Sequence, residues 1–422
     1  MRVLTLLLTS VLAAAATAKP NVVMIVGDDM AWTDFGFMGH PVVKTPHLDR
    51  LAAESALFPN GYVPTSLCRA SLATLLTGQY AHQHRICCND PPDGVDRAAM
   101  HPFIRQAPAL PRLLACAGYV SLQTGKFWEG HFSNAGFTHG MTTRGRHGEE
   151  GLVIGRQTMQ PIFDFIASAR RDNKPFFVWY APMLPHEPHN PPKRRLEKYV
   201  APGRPEKLAK YYAMCEWFDE TCGQLLDHLD QSGLRDDTLV VFVVDNGWIQ
   251  ETGEVQTTRG WFAPKSKLSP YDGGLRTPVM LRWPGRTKAG RYDDLVSTVD
   301  IAPTVLGAAG VNPPAEMPGL DLMSAASGSG RVARDAVFGE IFTHTAVDID
   351  RPVLNLTHRW VRRGDWKLIT FDAEKTPPEL YDLRHDPYEQ TNVAATHPAE
   401  VDALRREIRV WWDAHADKSP RP

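Results

Sequence analysis

Asn21-Val22-Val23-Met24-Ile25-Val26-Gly27-Asp28-Asp29 is the stretch on which the fold turns. Residues 22–26 are apolar without interruption, so a strand here is buried on both faces, as strands of parallel sheets are, and it empties into two aspartates. The same grammar recurs twice. Pro175-Phe176-Phe177-Val178-Trp179-Tyr180 follows a helical stretch around Ile162 to Ala169 and runs out into Met183-Leu184-Pro185-His186-Glu187-Pro188-His189. Leu239-Val240-Val241-Phe242-Val243-Val244 ends in Asp245-Asn246-Gly247. Three buried strands thus predict an α/β fold with a mostly parallel sheet, and they deliver Asp28, Asp29, His186, Asp245 and Asn246 to one edge. In open α/β sheets that carboxyl edge is where ligands bind.

Asp28, Asp29, Asp245 and Asn246 offer only oxygen donors. Such a set suits a hard cation, Ca²⁺ or else Mg²⁺, and suits zinc poorly. A divalent ion there would offset the charge of an anionic substrate and polarise one of its oxygens.

The second organising stretch is Pro64-Thr65-Ser66-Leu67-Cys68-Arg69-Ala70-Ser71-Leu72-Ala73-Thr74-Leu75-Leu76-Thr77-Gly78. Leu72, Leu75 and Leu76 fall at helical spacing, Gly78 suits the left-handed residue that ends a helix, and Cys68 lands in the first turn. Unpaired N–H groups and the helix dipole favour an anion at that point. Lys126 follows Gly125 at the exit of a strand-like run near Tyr119 to Leu122, a position from which it could reach inward, although a lysine taken alone would be solvated. Lys265 and Lys267 precede a glycine-rich turn, Tyr271-Asp272-Gly273-Gly274, ahead of an apolar strand from Val279 to Trp283.

The 422 residues accommodate one large α/β domain and an appendage. A formal charge of −2 argues against a nucleic-acid partner. Met1-Arg2, a leucine-rich run and an alanine-rich run to Ala18 read as a secretory signal peptide over 1–18, so the mature chain is expected to be secreted or periplasmic, with no membrane partner. Residues 19–311 form the expected catalytic domain, 312–333 a Pro/Gly/Ser/Ala-rich linker or surface loop, and 334–422 a smaller α+β subdomain. The last contains a hairpin around Arg363-Gly364-Asp365, a strand at Glu379 to Leu383 and an amphipathic helix from Pro398 to Ala414. Of six cysteines, Cys215 and Cys222 read as core, while one of the adjacent Cys87 and Cys88 could pair with Cys116. Asn355-Leu356-Thr357 fits a glycosylation acceptor.

Together these motifs resemble the sulfatase family of the alkaline-phosphatase superfamily over nearly the whole mature chain. The resemblance rests on residues 21–29, 68–78, Gly125-Lys126, Pro185-His186, Asp245-Asn246-Gly247, Lys267, 271–274, and the C-terminal 364–368 and 380–383. It implies an alkaline-phosphatase-like three-layer α/β/α sandwich. It also implies conversion of Cys68 to formylglycine (3-oxoalanine) by a formylglycine-generating or radical-type maturation enzyme. Asp28, Asp29, Asp245 and Asn246 would bind Ca²⁺ with the converted Cys68, Lys126 and Lys267 would hold the sulfate, and His186 would protonate the leaving oxygen.

Two positions depart from the family pattern. The motif arginine falls on Leu72, with Arg69 the nearest arginine; the histidine two residues after the lysine is replaced by Trp128, with His131 the nearest substitute. Arg69 and His131 therefore join the candidate site. The substrate implied is a sulfated small molecule or oligosaccharide. The rival readings are a phosphoester or phosphonate hydrolase of the same superfamily, against which Asn246 stands, and a non-catalytic binder of sulfated glycans that never converts Cys68. The loops 89–100, 144–151 and 247–263 are the expected seat of specificity, with Trp248, Trp261 and Phe262 suited to stacking on a sugar.

Overall fold

The computed structural model describes residues 19–248, 265–371 and 376–414, so the leader expected at 1–18 lies outside the described residues. Nine strands make the main sheet: β1 (Asn21–Gly27), β2 (Ala56–Tyr62), β3 (Val120–Gly125), β4 (His139–Gly140), β5 (Phe176–Ala181), β6 (Thr238–Val244), β7 (Arg276–Arg282), β8 (Gly290–Arg291) and β9 (Val296–Ser297). Their order is β4-β3-β5-β1-β6-β7-β2-β8, with β9 also on β2. From β4 to β6 every pairing is parallel, and β7 runs antiparallel between β6 and β2. The sheet is mostly parallel, as the uninterrupted apolar strands require.

Alternate side chains of β1 feed two separate cores. Val22, Met24 and Val26 pack with Leu75 and Leu76 of the Cys68–Thr77 helix; Val23 and Ile25 pack with Phe218, Leu225 and Leu229 of the Glu206–Gln231 helix on the other face. The result is three layers. Register then sets the site: Gly27 lies opposite Val244, so Asp28 and Asp245 leave the sheet side by side.

The Cys68–Thr77 helix begins at the cysteine, after Leu67 in extended conformation, and ends on Gly78 at φ 62°. All ten of its residues are buried, so it is held from every side. Its Thr74 hydroxyl meets His84 Nε2 at 3.2 Å, and His84 Nδ1 accepts from the Ile86 N–H at 3.0 Å.

The segment 312–333 is not a free linker. Met317, Leu322, Ala325 and Ala326 are buried in the core that also holds Leu75, and Met323–Ala326 is a short helix. Its Pro, Gly and Ser content hides four apolar residues placed to reach the main domain.

Strands β10 (Ala336–Phe342), β11 (Leu356–Arg363), β12 (Trp366–Phe371) and β13 (Glu379–Asp382) form a second, antiparallel sheet. Val361, Leu368 and Leu380 pack on Val401, Leu404 and Ile408 of the Pro398–Trp411 helix, whereas Trp360, Ile369 and Tyr381 pack on Tyr62, Val63 and Leu275 of the main domain. The junction is tight. Glu340 N–H and Trp360 Nε1–H both donate to the Pro64 carbonyl at 3.0 Å, and a Cβ on Gly339 would lie 2.0 Å from that oxygen. Lys367, fully buried, bridges Asp272 and Glu389 at 2.8 Å each, anchoring the glycine-rich turn to the second sheet.

All six cysteines are free; Cys87 and Cys88 are buried with their sulfurs 3.7 Å apart, while Cys116 is exposed, so the pairing considered with Cys116 is not made. Asn355 is buried, its amide donating to the Asp348 carbonyl at 2.7 Å and its Oδ1 accepting from Val347 N–H at 2.6 Å, which closes the glycosylation motif.

Burial, ahead of the charges of His82 and Arg69, pushes His84 from its ordinary 6.5 down to about 3. The unfolded chain therefore binds a proton that the folded chain refuses, and stability falls as pH drops from 6.5 toward about 3. Denaturant unfolding at several pH values should show His84→Gln lowering the acid-side slope by about 1.4 kcal/mol per pH unit. An unchanged slope would mean that His84 is charged in the folded chain.

Candidate active site

Four strand exits and one helix start meet around Asp29. Its backbone sits at φ 58°, a left-handed conformation uncommon for a residue with a side chain, and its N–H donates to Asp245 Oδ1 at 3.0 Å. One carboxylate oxygen, Oδ1, receives Asn246 Nδ2 at 2.6 Å and the Lys267 ammonium, and lies 3.7 Å from Cys68 Sγ. The other, Oδ2, is 3.3 Å from His186 Nε2. Lys126 Nζ reaches Asp28 Oδ1 at 2.5 Å and stands 3.6 Å from Asp245 Oδ2. Lys126 can point inward because Gly125, at φ 71°, passes so close to the Ala181 carbonyl that a Cβ would lie 1.8 Å from its oxygen.

The charges are mutually dependent. Burial raises the Asp29 carboxyl, but Lys267, then His186 and Lys126, override it and hold the group well below the usual carboxylate range. Asp245 goes the other way, lifted by burial and then by the charge of Asp28. Lys126 and Lys267 lose solvation, yet Asp28 for the first and Asp29 for the second raise them above the ordinary lysine value, so both stay charged. Burial pushes the Cys68 thiol up to about 12, more than the two lysines can offset. As a thiol it stays protonated.

Asp28 Oδ2, Asp245 Oδ2 and Asn246 Oδ1 are buried and accept no hydrogen bond. Each such oxygen costs about 1–3 kcal/mol unless something pairs with it. Three of them at adjacent strand ends fit a hard divalent cation, which takes oxygen ligands of this kind. Donor atoms of Asp28, Asp29, Cys68 and His186 also lie within 4.8 Å of one another.

Residues 20–311 match the family model described as Sulfatase, and residues 258–410 match N-sulphoglucosamine sulphohydrolase, C-terminal. The chain belongs to the sulfatase family. It is 27% identical to N-acetylgalactosamine-6-sulfatase of Canis lupus familiaris over 93% of this chain and 85% of that protein. It is 28% identical to human arylsulfatase A, Homo sapiens, over 95% and 89%. A protein solved in complex with its substrate D-glucosamine-2-N,6-O-disulfate has the same fold, with a TM-score of 0.77 at 21% identity over 95% of this chain and 99% of that one. The sulfatases are sulfuric ester hydrolases, and the shared fold is the α/β sandwich with a smaller antiparallel sheet.

Within this sulfatase, Asp28, Asp29, Cys68, Lys126, His186, Asp245, Asn246 and Lys267 are brought together, but Arg69 and His131 are not. The Arg69 guanidinium forks onto Glu129 at 2.7 and 2.8 Å and gives two further bonds to the carbonyls of Cys88 and Met100 at 3.2 Å, with the residue 1% exposed. Glu129, in the turn after Trp128, draws it away from the sulfur. Leu72, at the motif-arginine position, is buried in the core. His131 is exposed and bonds Ser133 at 2.8 Å.

A cavity of about 640 Å³ opens over Cys68, Asp29, Lys267 and His186. Its wall holds two residues that sequence reasoning missed, Arg146 and His147. They lie in the 144–151 loop, tied to the Lys126 segment by Phe127 N–H donating to the His147 carbonyl at 3.0 Å. The His147 ring meets the edge of Trp128 at 4.5 Å and His186 at 5.6 Å; burial, then Lys126 and His186, pushes it down to about 2, so it is neutral. A histidine thus does stand beside Trp128, brought by a loop rather than by the motif. Trp248 lines the cavity and stacks on Tyr211 at 3.5 Å, while Trp261 and Phe262 lie outside the described residues.

Glu129→Gln should unpair the buried Arg69 and cost about 3–5 kcal/mol in denaturant unfolding. His131→Ala should change stability by no more than about 0.5 kcal/mol and leave turnover as it was. A collapse of turnover in His131→Ala with the fold intact would restore it to the site.

Proposed function

We propose that this sulfatase hydrolyses sulfate esters of carbohydrate outside the cytoplasm, with Cys68 converted to formylglycine and Ca²⁺ (or Mg²⁺) at Asp28, Asp29, Asp245, Asn246 and the converted residue. The observation that carries the reading is the convergence of three buried oxygens that accept no hydrogen bond and two charged lysines on one buried cysteine beneath an open cavity. The carbohydrate part is supported by the relative named N-acetylgalactosamine-6-sulfatase and by the fold neighbour solved with D-glucosamine-2-N,6-O-disulfate. Among the described residues no helix is long and apolar enough to cross a membrane. The maturation enzyme is the one protein partner the reading requires.

Bound cation would supply charge neutralisation and polarise a sulfate oxygen. Cys68, once converted, would hold a hydrated formylglycine, whose two hydroxyls would supply both a nucleophile for sulfur and a route for releasing sulfate that a single serine hydroxyl does not offer. The chain's own side chains do the rest. Lys126 and Lys267 are fixed cations for the sulfate oxygens and for charge developing on them. His186 Nδ1–H donates to the Glu187 carbonyl at 2.7 Å, and Nε2 stands 3.3 Å from Asp29 Oδ2 at the edge of the cavity. Handing a proton from Nε2 to the leaving sugar oxygen uses the doubly protonated ring, which burial disfavours and the Asp29 carboxylate favours. Trp128 and His147 wall that exchange from solvent on one side.

Two measurements test this. Peptide mass spectrometry across Cys68, on protein made in its own host or beside a maturation enzyme, should show formylglycine. That protein should release sulfate from sulfated oligosaccharides, and Cys68→Ala should not; turnover of phosphonate or phosphate esters alone would overturn the reading. Separately, Ca²⁺ at about 100 times its Kd should stabilise the chain by about 2.7 kcal/mol, read as a rise in Tm. Asp245→Ala should abolish that rise; no shift with either Ca²⁺ or Mg²⁺ would leave the three oxygens to another partner.

A further inference from the structure

Beside the nucleophile's helix, three arginines share two carboxylates. Arg69 consumes Glu129. Asp90 is divided between Arg97, which bonds its Oδ1, and Arg146, which forks onto it through Nε and Nη2 at 2.7 Å each, with the His344 ring 3.5 Å from its Oδ2. One positive charge is left over. Arg97 turns its Nη1 to the Asn89 carbonyl at 2.8 Å, whereas Arg146 lines the cavity with its side chain 39% exposed. The surplus therefore faces the substrate space at Arg146.

Arg146 is also held more firmly than a half-exposed arginine needs to be. Its Nη1 donates to His147 Nε2 at 2.8 Å, and the guanidinium lies 4.7 Å from the centre of the Trp128 ring. Asp90 beneath it is pinned by the second domain: its N–H donates to the His344 carbonyl at 3.3 Å, and Ala346 N–H donates to its own carbonyl at 2.8 Å. Of the five N–H groups of a guanidinium, these bonds use three; among the described residues one on each Nη has no recorded partner. The ordering cost of presenting them is met before a ligand arrives. The acids lining the cavity are Asp29, taken by Lys267, and Glu187.

We propose that Arg146 reads a second anionic group, a carboxylate or a further sulfate, on the sugar whose sulfate ester sits at Cys68. The proposal rests on the carbohydrate reading above and narrows it to sugars carrying two negative groups. A planar fork matches the paired oxygens of either group. Asp90 is the positioning residue that holds the fork, and Trp128 supplies the apolar surface behind it.

The test uses the full chain with Cys68→Ala, which binds without turnover. Titration calorimetry compares methyl glycosides of a monosulfated neutral hexosamine, a disulfated hexosamine and a sulfated uronate. At least one doubly charged sugar should bind about tenfold more tightly than the singly charged one, and which of the two does so identifies the group. Adding Arg146→Gln should erase that preference, and Arg146→Lys should restore only part of it. Equal affinities in the parent, or a preference that survives Arg146→Gln, would overturn the proposal. Should Arg146→Gln fail to fold, Arg146→Lys decides, since full preference without the fork also overturns it. Binding of none of the three overturns the carbohydrate reading and this proposal together. A preference intact in Cys68→Ala, with no sulfate released by the converted enzyme, overturns the hydrolase reading and leaves the anion subsite standing.

Discussion

Everything at the centre of this molecule depends on one carboxylate oxygen. Asp29 Oδ1 takes a hydrogen bond from Asn246, an ion pair from Lys267 and the nearest approach of the Cys68 sulfur. Those partners come from the exit of β6, from the segment before the glycine-rich turn and from a helix that lies on one face of the sheet. A buried anion with fewer counter-charges would shed its charge or its burial. Here the counter-charges fix the relative positions of segments more than two hundred residues apart. The left-handed backbone at Asp29 is part of the same arrangement, because it frees the main-chain N–H to reach Asp245.

Much of this was legible in the amino-acid order. Apolar runs without polar interruption can only be strands covered on both sides, and acids at their ends must then gather at one edge. Hence β1, β5, β6 and the cluster of Asp28, Asp29, His186, Asp245 and Asn246 could be read directly. Lys126 was legible for a local reason, the glycine before it. The C-terminal hairpin and helix followed from period-two and 3.6-residue patterns. What could not be read were contacts between loops. Arg146 and His147 lie in a loop with no motif, and their places are set by Trp128, Asp90 and the second sheet. Segment 312–333 lies at the surface, but four apolar residues that its composition conceals pin it to the main domain.

Arg69 shows how a departure from a family pattern is absorbed. At the position where relatives of this pattern carry arginine, Leu72 packs into the core, and a guanidinium appears three residues earlier with a dedicated carboxylate at Glu129. A buried ion pair of this geometry adds little net stability, but removing either member is costly. The pair ties the first turn of the Cys68 helix to the turn that follows Lys126, and so braces two elements that must stay in register.

The Pro64 carbonyl, four residues before Cys68, accepts from both Glu340 and Trp360, and the Asp272 turn is locked by Lys367 and Glu389. During synthesis these partners emerge last. Until β10 to β13 leave the ribosome, the segment leading into Cys68 and the Asp272 turn lack these anchors. Cys68 itself, 1% exposed, is buried among main-domain side chains such as Met24, Leu72 and Trp128. The second sheet is thus the last brace added to a site whose walls the main domain has already supplied.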